Sequence, residues 1–154
     1  MQTRRDLIKH SAVVAGLLAA ALPLGAQAQA AGGFNRAAFD AKTMDELLKA
    51  LGLGKPVESR EVTLTGPDIA ENGAVVPLAV ASSAAGVKRL LLLVEKNPNI
   101  LAGLFEVSDA VEPNMSTRVK MGQTSNVYAV AITADNKVLF AQKEVKVTLG
   151  GCGG

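Results

Sequence analysis

Histidine and cysteine are almost missing from this sequence. Its 154 residues contain one histidine, His10, and one cysteine, Cys152. Histidine is the commonest general base and metal ligand in proteins, and His10 lies in a segment that we expect to be cleaved off. Ser-His-Asp and Cys-His catalytic sets and Cys/His zinc sites are thereby excluded. The sequence predicts a chain that is not itself an enzyme, with no intrinsic catalytic residue, no metal site and no cofactor.

Aromatic residues are scarce as well, and the charges are balanced. Aromatics make up 3% of the chain, and there is no tryptophan. The full sequence has 16 basic and 14 acidic residues; removing the first 30 residues takes away three basic and one acidic residue and leaves 13 of each. With no basic patch and few aromatics to stack on bases, a nucleic-acid partner is not expected.

The first 30 residues have the pattern of an export signal. Arg4 and Arg5 are followed by an apolar run over residues 12–24 and by small residues in A-x-A spacing over residues 26–30. The run is too short to span the ~30 Å hydrocarbon core of a membrane, so a permanent anchor is the less favoured interpretation. The adjacent arginines resemble a twin-arginine signal. We expect export to the periplasm by the twin-arginine route and cleavage after Ala28 or Ala30, leaving about 125 residues and no membrane attachment.

Residues 31–54 are predicted to form an N-terminal helical segment. Thr43 and Glu46 have the spacing of a capping box, and Gly52 supplies a stop signal. The apolar positions between and before them predict one face packed on the rest of the protein: Phe34, Phe39, Leu47, Leu48 and Leu51.

Residues 55–149 show short alternating segments separated by turn signals, a pattern typical of β-structure. Strands are predicted at residues 61–65, 74–81, 87–95, 104–107, 116–121, 126–133 and 138–149. Pro77 lacks an N–H and so predicts an edge strand or a bulge. The apolar run over residues 90–94 predicts a strand buried on both faces, with a subunit interface as the alternative. The fold class is mainly β, an immunoglobulin-like antiparallel β-sandwich of about seven strands.

The last five residues read GGCGG and place Cys152 between two pairs of glycines: Gly150, Gly151, Gly153 and Gly154. Glycine offers no side chain to pack and the greatest backbone freedom, so residues 150–154 are predicted to be a flexible arm. Cys152 is the third residue after Leu149, which allows a reach of about 10 Å. No helix N-terminus or neighbouring cation activates the thiol. The pattern favours a sulfur atom that is presented to the active sites of other proteins.

Three other interpretations of Cys152 remain open from the residues alone. In the first, the chain is an exported, immunoglobulin-like interaction module whose cysteine makes an intermolecular disulfide, which an odd cysteine count also suggests. In the second, the C-terminus is frayed and the thiol has no function. A self-sufficient thiol enzyme is the third interpretation, and the missing histidine disfavours it.

The sequence resembles the SoxY sulfur-carrier family of the bacterial Sox thiosulfate-oxidising system. The resemblance rests on the paired arginines near the start, the terminal GGCGG and three internal segments: PDIAENGAVVPLAV at residues 67–80, LVEKNPNILAGLFEV at residues 93–107 and TRVKMGQTSNVYAVA at residues 117–131. It implies that Cys152 is the covalent attachment site for intermediates of thiosulfate oxidation, held first as a thiosulfonate and then as a persulfide. Gly150, Gly151, Gly153 and Gly154 would give the arm its freedom.

The resemblance also implies a set of protein partners. The carrier would form a heterodimer with SoxZ, a second small β-sandwich subunit. Transient partners would be the SoxAX haem enzyme, which loads thiosulfate, the SoxB hydrolase, which releases sulfate, and, where present, the SoxCD sulfur dehydrogenase. Since the chain has no cofactor that requires folding before export, twin-arginine export is explained if it carries SoxZ with it.

Overall fold

The computed structural model describes residues 35–149, which form two short helices and nine strands. The helices are α1 (Arg36–Asp40) and α2 (Met44–Ala50). The strands are β1 (Val57–Glu58), β2 (Val62–Thr65), β3 (Ile69–Ala70), β4 (Val76–Ser82), β5 (Val87–Val94), β6 (Leu101–Glu106), β7 (Asn114–Val119), β8 (Ser125–Thr133) and β9 (Val138–Val147). Neither helix in this part of the chain is long and apolar enough to cross a membrane.

Two sheets pack face to face and give the predicted immunoglobulin-like sandwich. The larger sheet has the order β1-β9-β8-β5-β6, and β3 also pairs with β9. The smaller sheet has the order β2-β4-β7. The longer strands pair antiparallel, whereas β1 and β3 run parallel to β9, β1 along its beginning and β3 along its end. These two short strands raise the number of strands to nine, compared with the seven expected, because two-residue strands give no alternation to detect.

Strand β5 forms the centre of the protein. The five residues from Leu90 to Val94 have no solvent exposure. Leu91 and Leu93 pack in the cluster that includes the helices, whereas Leu92 and Val94 pack in the cluster between the two sheets. The interpretation of this run as core is therefore confirmed, and the alternative that it lines a subunit interface is wrong.

The helical segment covers part of the larger sheet, but it is broken into two helices by residues 41–43. Thr43 caps α2, and its hydroxyl accepts the Glu46 N–H as predicted. The Glu46 carboxylate, however, accepts the N–H of Lys42 and so does not complete a reciprocal capping box. Gly52 ends the segment with a φ of 68°, a left-handed conformation that glycine adopts without strain. Leu47 and Leu48 are buried against the sheet as expected, and Phe39 packs beside them.

Two expectations about the strands are wrong. Strand β4 is the central strand of the smaller sheet and not an edge strand. Pro77 is tolerated because β2 reaches only as far as Ala79 on that side, so that Pro77 pairs with β7 alone. Strand β9 ends at Val147 and not at Leu149, whose side chain is 68% exposed. Leu149 continues the apolar alternation of the strand, but the core does not extend far enough to cover it.

Candidate functional site: the root of the arm

The predicted site residues lie just beyond the part of the chain that the structure describes. Residues 150–154, with Cys152 and its four glycines, fall outside it, as do the signal residues Arg4 and Arg5. The structure does describe Thr148 and Leu149, which directly precede Gly150 and which we call the arm root. What holds the arm root decides where the arm begins.

The second half of β9 is held along its outer edge by residues 66–73, which we call the strap. The Lys146 N–H donates to the Asp68 carbonyl at 2.9 Å, and β3 within the strap pairs with Lys146 and Val147. The Lys143 ammonium donates to the Gly66 carbonyl at 2.7 Å. These bonds come from successive positions in both segments, so the strap fixes the direction in which β9 leaves the sandwich.

Backbone hydrogen bonds continue into the arm root beyond the last strand residue. Thr148 donates its N–H to Ala70 and its hydroxyl to the Glu71 carbonyl. The Leu149 carbonyl accepts the N–H of Gly73 at 2.8 Å, and the Gly73 carbonyl accepts the N–H of Met121 at 2.7 Å. Since each such bond contributes about 0.5–1.5 kcal/mol, the chain is fastened as far as the residue before Gly150.

The strap can lie close to the smaller sheet because residue 66 is glycine. A Cβ at this position would come within 2.5 Å of the Leu78 Cδ2, and Leu78 is buried between the sheets. Asp68 adds an ion pair, with its carboxylate 2.9 Å from the Lys143 ammonium. The hydrogen bond from Lys143, together with its charge, lowers the pKa of the Asp68 carboxyl. The Asp68 carboxyl therefore remains ionised at neutral pH.

The titratable groups around this site are carboxylates and ammonium groups, among them Asp68 and Lys143. Residues 35–149 contain neither histidine nor cysteine, and no cluster of metal-ligating side chains occurs among them. A depression of about 820 Å³ lies over β4 and β7, and the titratable residue in its lining is Arg118. A guanidinium stays protonated at any physiological pH, so it does not serve as a base.

A second cleft, of about 460 Å³, does contain acid–base groups, but it lies too far away. It opens between the start of α2 and the larger sheet and includes Glu95 and Tyr128. Burial raises the pKa of Tyr128, and the Glu95 carboxylate raises it further. Tyr128 pairs with Gln142, five residues before Val147, which is roughly 17 Å along a strand at ~3.3 Å per residue. A sulfur atom with about 10 Å of chain from Leu149 does not reach it.

Sequence reasoning missed the residues that hold the arm root. Residues 66–73 fall between two of the predicted strands, and neither they nor Thr124 carry a signal of these bonds. The Thr124 hydroxyl accepts the Val147 N–H at 3.0 Å and so satisfies a donor at the end of β9. Nothing in the local sequence indicates these bonds, because the partners lie 23 to 78 positions apart along the chain.

Comparisons with known proteins identify the family. A family profile described as sulfur oxidation protein SoxY matches residues 48–152. The solved structure of the sulfur carrier protein SoxY from Chlorobium limicola f thiosulfatophilum is 32% identical in sequence, with a TM-score of 0.61, and the match covers 68% of this chain and 94% of that chain. No curated protein matches the sequence.

Other solved structures share the fold only. The superoxide reductase (neelaredoxin) of Ignicoccus hospitalis has a TM-score of 0.51 at 17% identity, over 57% of this chain and 80% of that chain. A putative superoxide reductase of Thermotoga maritima has a TM-score of 0.50 at 12% identity, over 63% and 96%. At such low identity these structures bear on the architecture and not on the chemistry. The match to SoxY in both sequence and structure is different in kind: this chain belongs to the SoxY family and is a sulfur carrier of the Sox system.

Proposed function

We propose that the protein is a periplasmic carrier that holds intermediates of thiosulfate oxidation covalently on Cys152. The family match carries this proposal, since it extends through residue 152 and thus includes the single cysteine. The hydrogen bonding of the arm root supports it, because Cys152 follows three residues after a fixed point. The glycines on both sides of Cys152 would let the sulfur turn toward different active sites.

The proposed chemistry needs partners at each step. Joining thiosulfate to the thiol forms a bond between the Cys152 Sγ and the outer sulfur of thiosulfate, and it releases one proton and two electrons, which a haem enzyme such as SoxAX would accept. Hydrolysis then transfers the oxygen of water to the sulfonate sulfur. Sulfate leaves, and a persulfide remains on Cys152, as expected for a hydrolase such as SoxB. Where SoxCD is present, it would oxidise the outer sulfur.

The lack of histidine in the described part of the chain supports such a division of labour. Residues 35–149 offer no histidine and no second cysteine, so that the described body supplies neither an imidazole base nor a resolving thiol. A thiol with low intrinsic reactivity resists oxidation while the carrier moves from one partner to the next, whereas an activated thiol is oxidised more readily. Each partner would provide the charges and bases at the moment of reaction.

Mass spectrometry of the intact protein tests the proposal. Mature carrier with its SoxZ subunit is incubated with thiosulfate and the cognate haem enzyme, and a reducible adduct with the mass of thiosulfate is expected on Cys152. Cys152→Ser should show no adduct.

Replacing Gly151 and Gly153 by Val should leave the melting temperature unchanged but slow the loading, because bulky residues stiffen the arm. An unloaded wild type that instead forms a disulfide with a second protein would favour the interaction module.

Export supplies an independent test of the proposed location. Replacing Arg4 and Arg5 by Lys is expected to keep the precursor in the cytoplasm, because the twin-arginine route reads that pair. If SoxZ leaves the cell interior bound to this chain, it should be retained together with it. Periplasmic fractions probed for both subunits give the answer, and normal export of SoxZ alongside a retained carrier would contradict joint export.

A further inference from the structure

The end of the strap that bonds to the arm root contains an asparagine followed by a glycine. Among residues 35–149, Asn72 alone is an asparagine that precedes glycine. The other six asparagines in this range precede bulkier residues: Arg36, Pro98, Ile100, Met115, Val127 and Lys137. An Asn-Gly pair is especially prone to lose ammonia from the asparagine, because glycine has no Cβ to keep its nitrogen away from the carboxamide. A chemically labile pair thus lies where the strap meets Leu149.

Local hydrogen bonds fold the Asn72 side chain over the peptide bond that follows it. Its Oδ1 accepts the Ala74 N–H at 2.9 Å, and its carbonyl accepts the Val75 N–H at 3.4 Å. The first of these bonds closes a ring of atoms that contains both the Asn72 Cγ and the Gly73 nitrogen. Asn72 is exposed, so water reaches its carboxamide. The two atoms that would react are therefore held in one turn that solvent can enter.

The Gly73 nitrogen is restrained by the arm root. Its N–H donates to the Leu149 carbonyl at 2.8 Å, and the Gly73 carbonyl accepts the Met121 N–H at 2.7 Å. An amide nitrogen attacks a carboxamide only when it gives up its proton, and a hydrogen bond made by the neutral N–H disfavours that loss. As long as Leu149 stays bonded, Gly73 is therefore a poor nucleophile.

Opening of the arm root would release this nitrogen. Leu149 lies beyond the last strand residue, its side chain is 68% exposed, and the ends of strands open more often than the core. Thr148 helps to hold it, through its N–H to Ala70 and its hydroxyl to the Glu71 carbonyl. A single event, the loss of the bond between Leu149 and Gly73, would free the end of the chain and expose the reactive nitrogen together.

We propose that Asn72 is a site of spontaneous deamidation, controlled by the hydrogen bond between the Gly73 N–H and the Leu149 carbonyl. When the arm root opens, the Gly73 nitrogen bonds to the Asn72 Cγ, the bond from Cγ to Nδ2 breaks, and ammonia leaves with the proton from Gly73. The product is a cyclic succinimide. Water then opens this ring at either carbonyl carbon and gives aspartate or isoaspartate, without oxidation or reduction. The inference goes beyond the carrier function and does not depend on it.

The two products would affect the arm root differently. Aspartate keeps the original main chain and adds a negative charge next to Glu71. Isoaspartate routes the main chain through the side-chain carbons, which inserts an additional atom between the Cα of residue 72 and the Gly73 nitrogen. Because Gly73 bonds to Leu149 through its N–H and to Met121 through its carbonyl, the longer chain would displace these bonds. Isoaspartate would therefore leave the arm root loosened permanently.

Peptide mapping of the mature protein under reducing conditions tests the proposal. The protein is kept in mildly alkaline buffer, and mass spectrometry with electron-based fragmentation follows aspartate and isoaspartate at position 72. The same protein unfolded in guanidinium chloride gives the unprotected rate. We expect the native protein to react roughly tenfold more slowly than the unfolded one, or slower still, because reaction waits for the arm root to open.

A matched pair of variants tests the control by the arm root. Thr148→Val removes the hydroxyl bond to Glu71 and should deamidate about two- to tenfold faster than the wild type, the range expected from the loss of one hydrogen bond. Thr63→Val changes an exposed threonine of β2 and should react at the wild-type rate. Hydrogen exchange of the Gly73 amide needs the same opening, so Thr148→Val should accelerate exchange and deamidation by the same factor.

Hydrogen exchange of the product tests the loosening. The isoaspartate form, separated by ion-exchange chromatography, should show faster exchange of the Thr148 amide than the unmodified protein. Asn72→Asp has the charge of the product with a normal main chain and should keep this exchange slow. Slow exchange of the Thr148 amide in the isoaspartate form would overturn the proposed loosening.

Three results would overturn the site or its control. Deamidation of the native protein at the rate of the unfolded protein would mean that the bond to Leu149 gives no protection. Equal rates in Thr148→Val and Thr63→Val would remove the arm root from the control. No product at position 72 in the native wild type and in Thr148→Val, over a period in which the unfolded protein reacts completely, would rule out the site. Thiosulfate loading of Cys152 is measured separately, so none of these results bears on the carrier function.

Discussion

The two halves of β9 are held in different ways. At its beginning, Val138 and Phe140 pack under the helices in a buried cluster. Toward its end, the same face of the larger sheet is open, and Gln142, Glu144 and Lys146 are exposed. The opposite face still packs between the sheets through Val145, while the edge is held by backbone bonds to the strap and by the Thr124 hydroxyl. On the helix-facing side, packing thus holds the first half of β9, and edge hydrogen bonds hold the second.

This difference fits the proposed carrier function. If partner enzymes act on Cys152, a helix laid over the end of β9 would bury the surface that they approach. Edge hydrogen bonds fix the course of the chain without adding a layer on that face, since they lie in the plane of the sheet. In the proposed carrier, the beginning of β9 contributes stability, and its end directs the residues that lead to Cys152.

The largest effect on stability is expected from a leucine in the packed region. Leu47 lies in α2 and is fully buried against the larger sheet, so Leu47→Ala should lower the free energy of unfolding by about 2–4 kcal/mol through lost burial and a residual cavity. Leu149→Ala is the matched control at the other end of the molecule. Because Leu149 is 68% exposed, this change should alter the stability by less than about 0.5 kcal/mol.

Chemical denaturation monitored by circular dichroism measures both leucine variants. Similar losses for Leu47→Ala and Leu149→Ala would contradict the contrast between the two halves, since it would mean that Leu149 is covered in solution. The contrast would be sharpened if thiosulfate loading responded in the opposite order, with Leu149→Ala impaired and Leu47→Ala normal at a temperature where the latter is folded.

The packed region is also where the sequence was most informative. The run from Leu90 to Val94 predicted a strand buried on both faces, and the cap at Thr43 and the stop at Gly52 predicted a helix in the right place, because each signal lies in adjacent residues. The strap gave no such signal. Its bonds to Thr148 and Leu149 join residues about 76 to 78 positions apart through main-chain atoms, which are the same in every residue type.

The function of the arm could not be predicted from physical properties of its residues. The residues alone left a carrier, a disulfide-linked module and an incidental thiol as alternatives for Cys152. The family match shows a sulfur carrier of the Sox system, while the role of Cys152 stays a prediction, since no physical property of a thiol between glycines specifies its cargo. Pro77 illustrates the limit of local rules: its missing N–H predicted an edge strand, whereas the short reach of β2 made a central strand possible.

A smaller loss of stability is expected from a change at the end of β9, where a single hydroxyl accepts the Val147 N–H. Thr124→Val removes the acceptor of the Val147 N–H and keeps the shape of the side chain. The unpaired donor should cost about 1 kcal/mol of stability. Hydrogen exchange of the Val147 amide should become faster, while the amides of Val138 and Phe140 keep the exchange rates that global stability imposes.

Thr124→Ser is the control for this substitution, because it retains the hydroxyl and loses only a methyl group. The serine variant should preserve slow exchange at Val147. Equal acceleration in the valine and serine variants would show that the methyl group, not the hydrogen bond, secures the end of the strand, and the division between a packed half and a hydrogen-bonded half would then fail.

The smallest effects should come from an ion pair at each end of β9. In the turn before the strand, hydrogen bonds from Lys137 and Thr133 lower the pKa of Asp135 to about 2. Beside the end of the strand, the hydrogen bond from Lys143 lowers the pKa of Asp68. A carboxyl whose pKa is depressed by folding stabilises the folded state above its ordinary pKa, and this contribution is lost as the pH falls through the folded value.

Melting temperatures of the wild type, Asp135→Asn and Asp68→Asn between about pH 5 and pH 2 test this pair of interactions. Each variant should melt slightly below the wild type at the upper end of the range, and the difference should shrink as the pH falls, for Asp135 between its ordinary value of 3.8 and about 2. Both carboxylates are solvent-exposed, so screening keeps the differences small. At the upper end of this range, hydrogen exchange should be faster in the turn for Asp135→Asn and in the strap for Asp68→Asn than in the wild type. A pH-independent difference would mean that the lost side-chain contacts, not the charges, stabilise the two ends of β9.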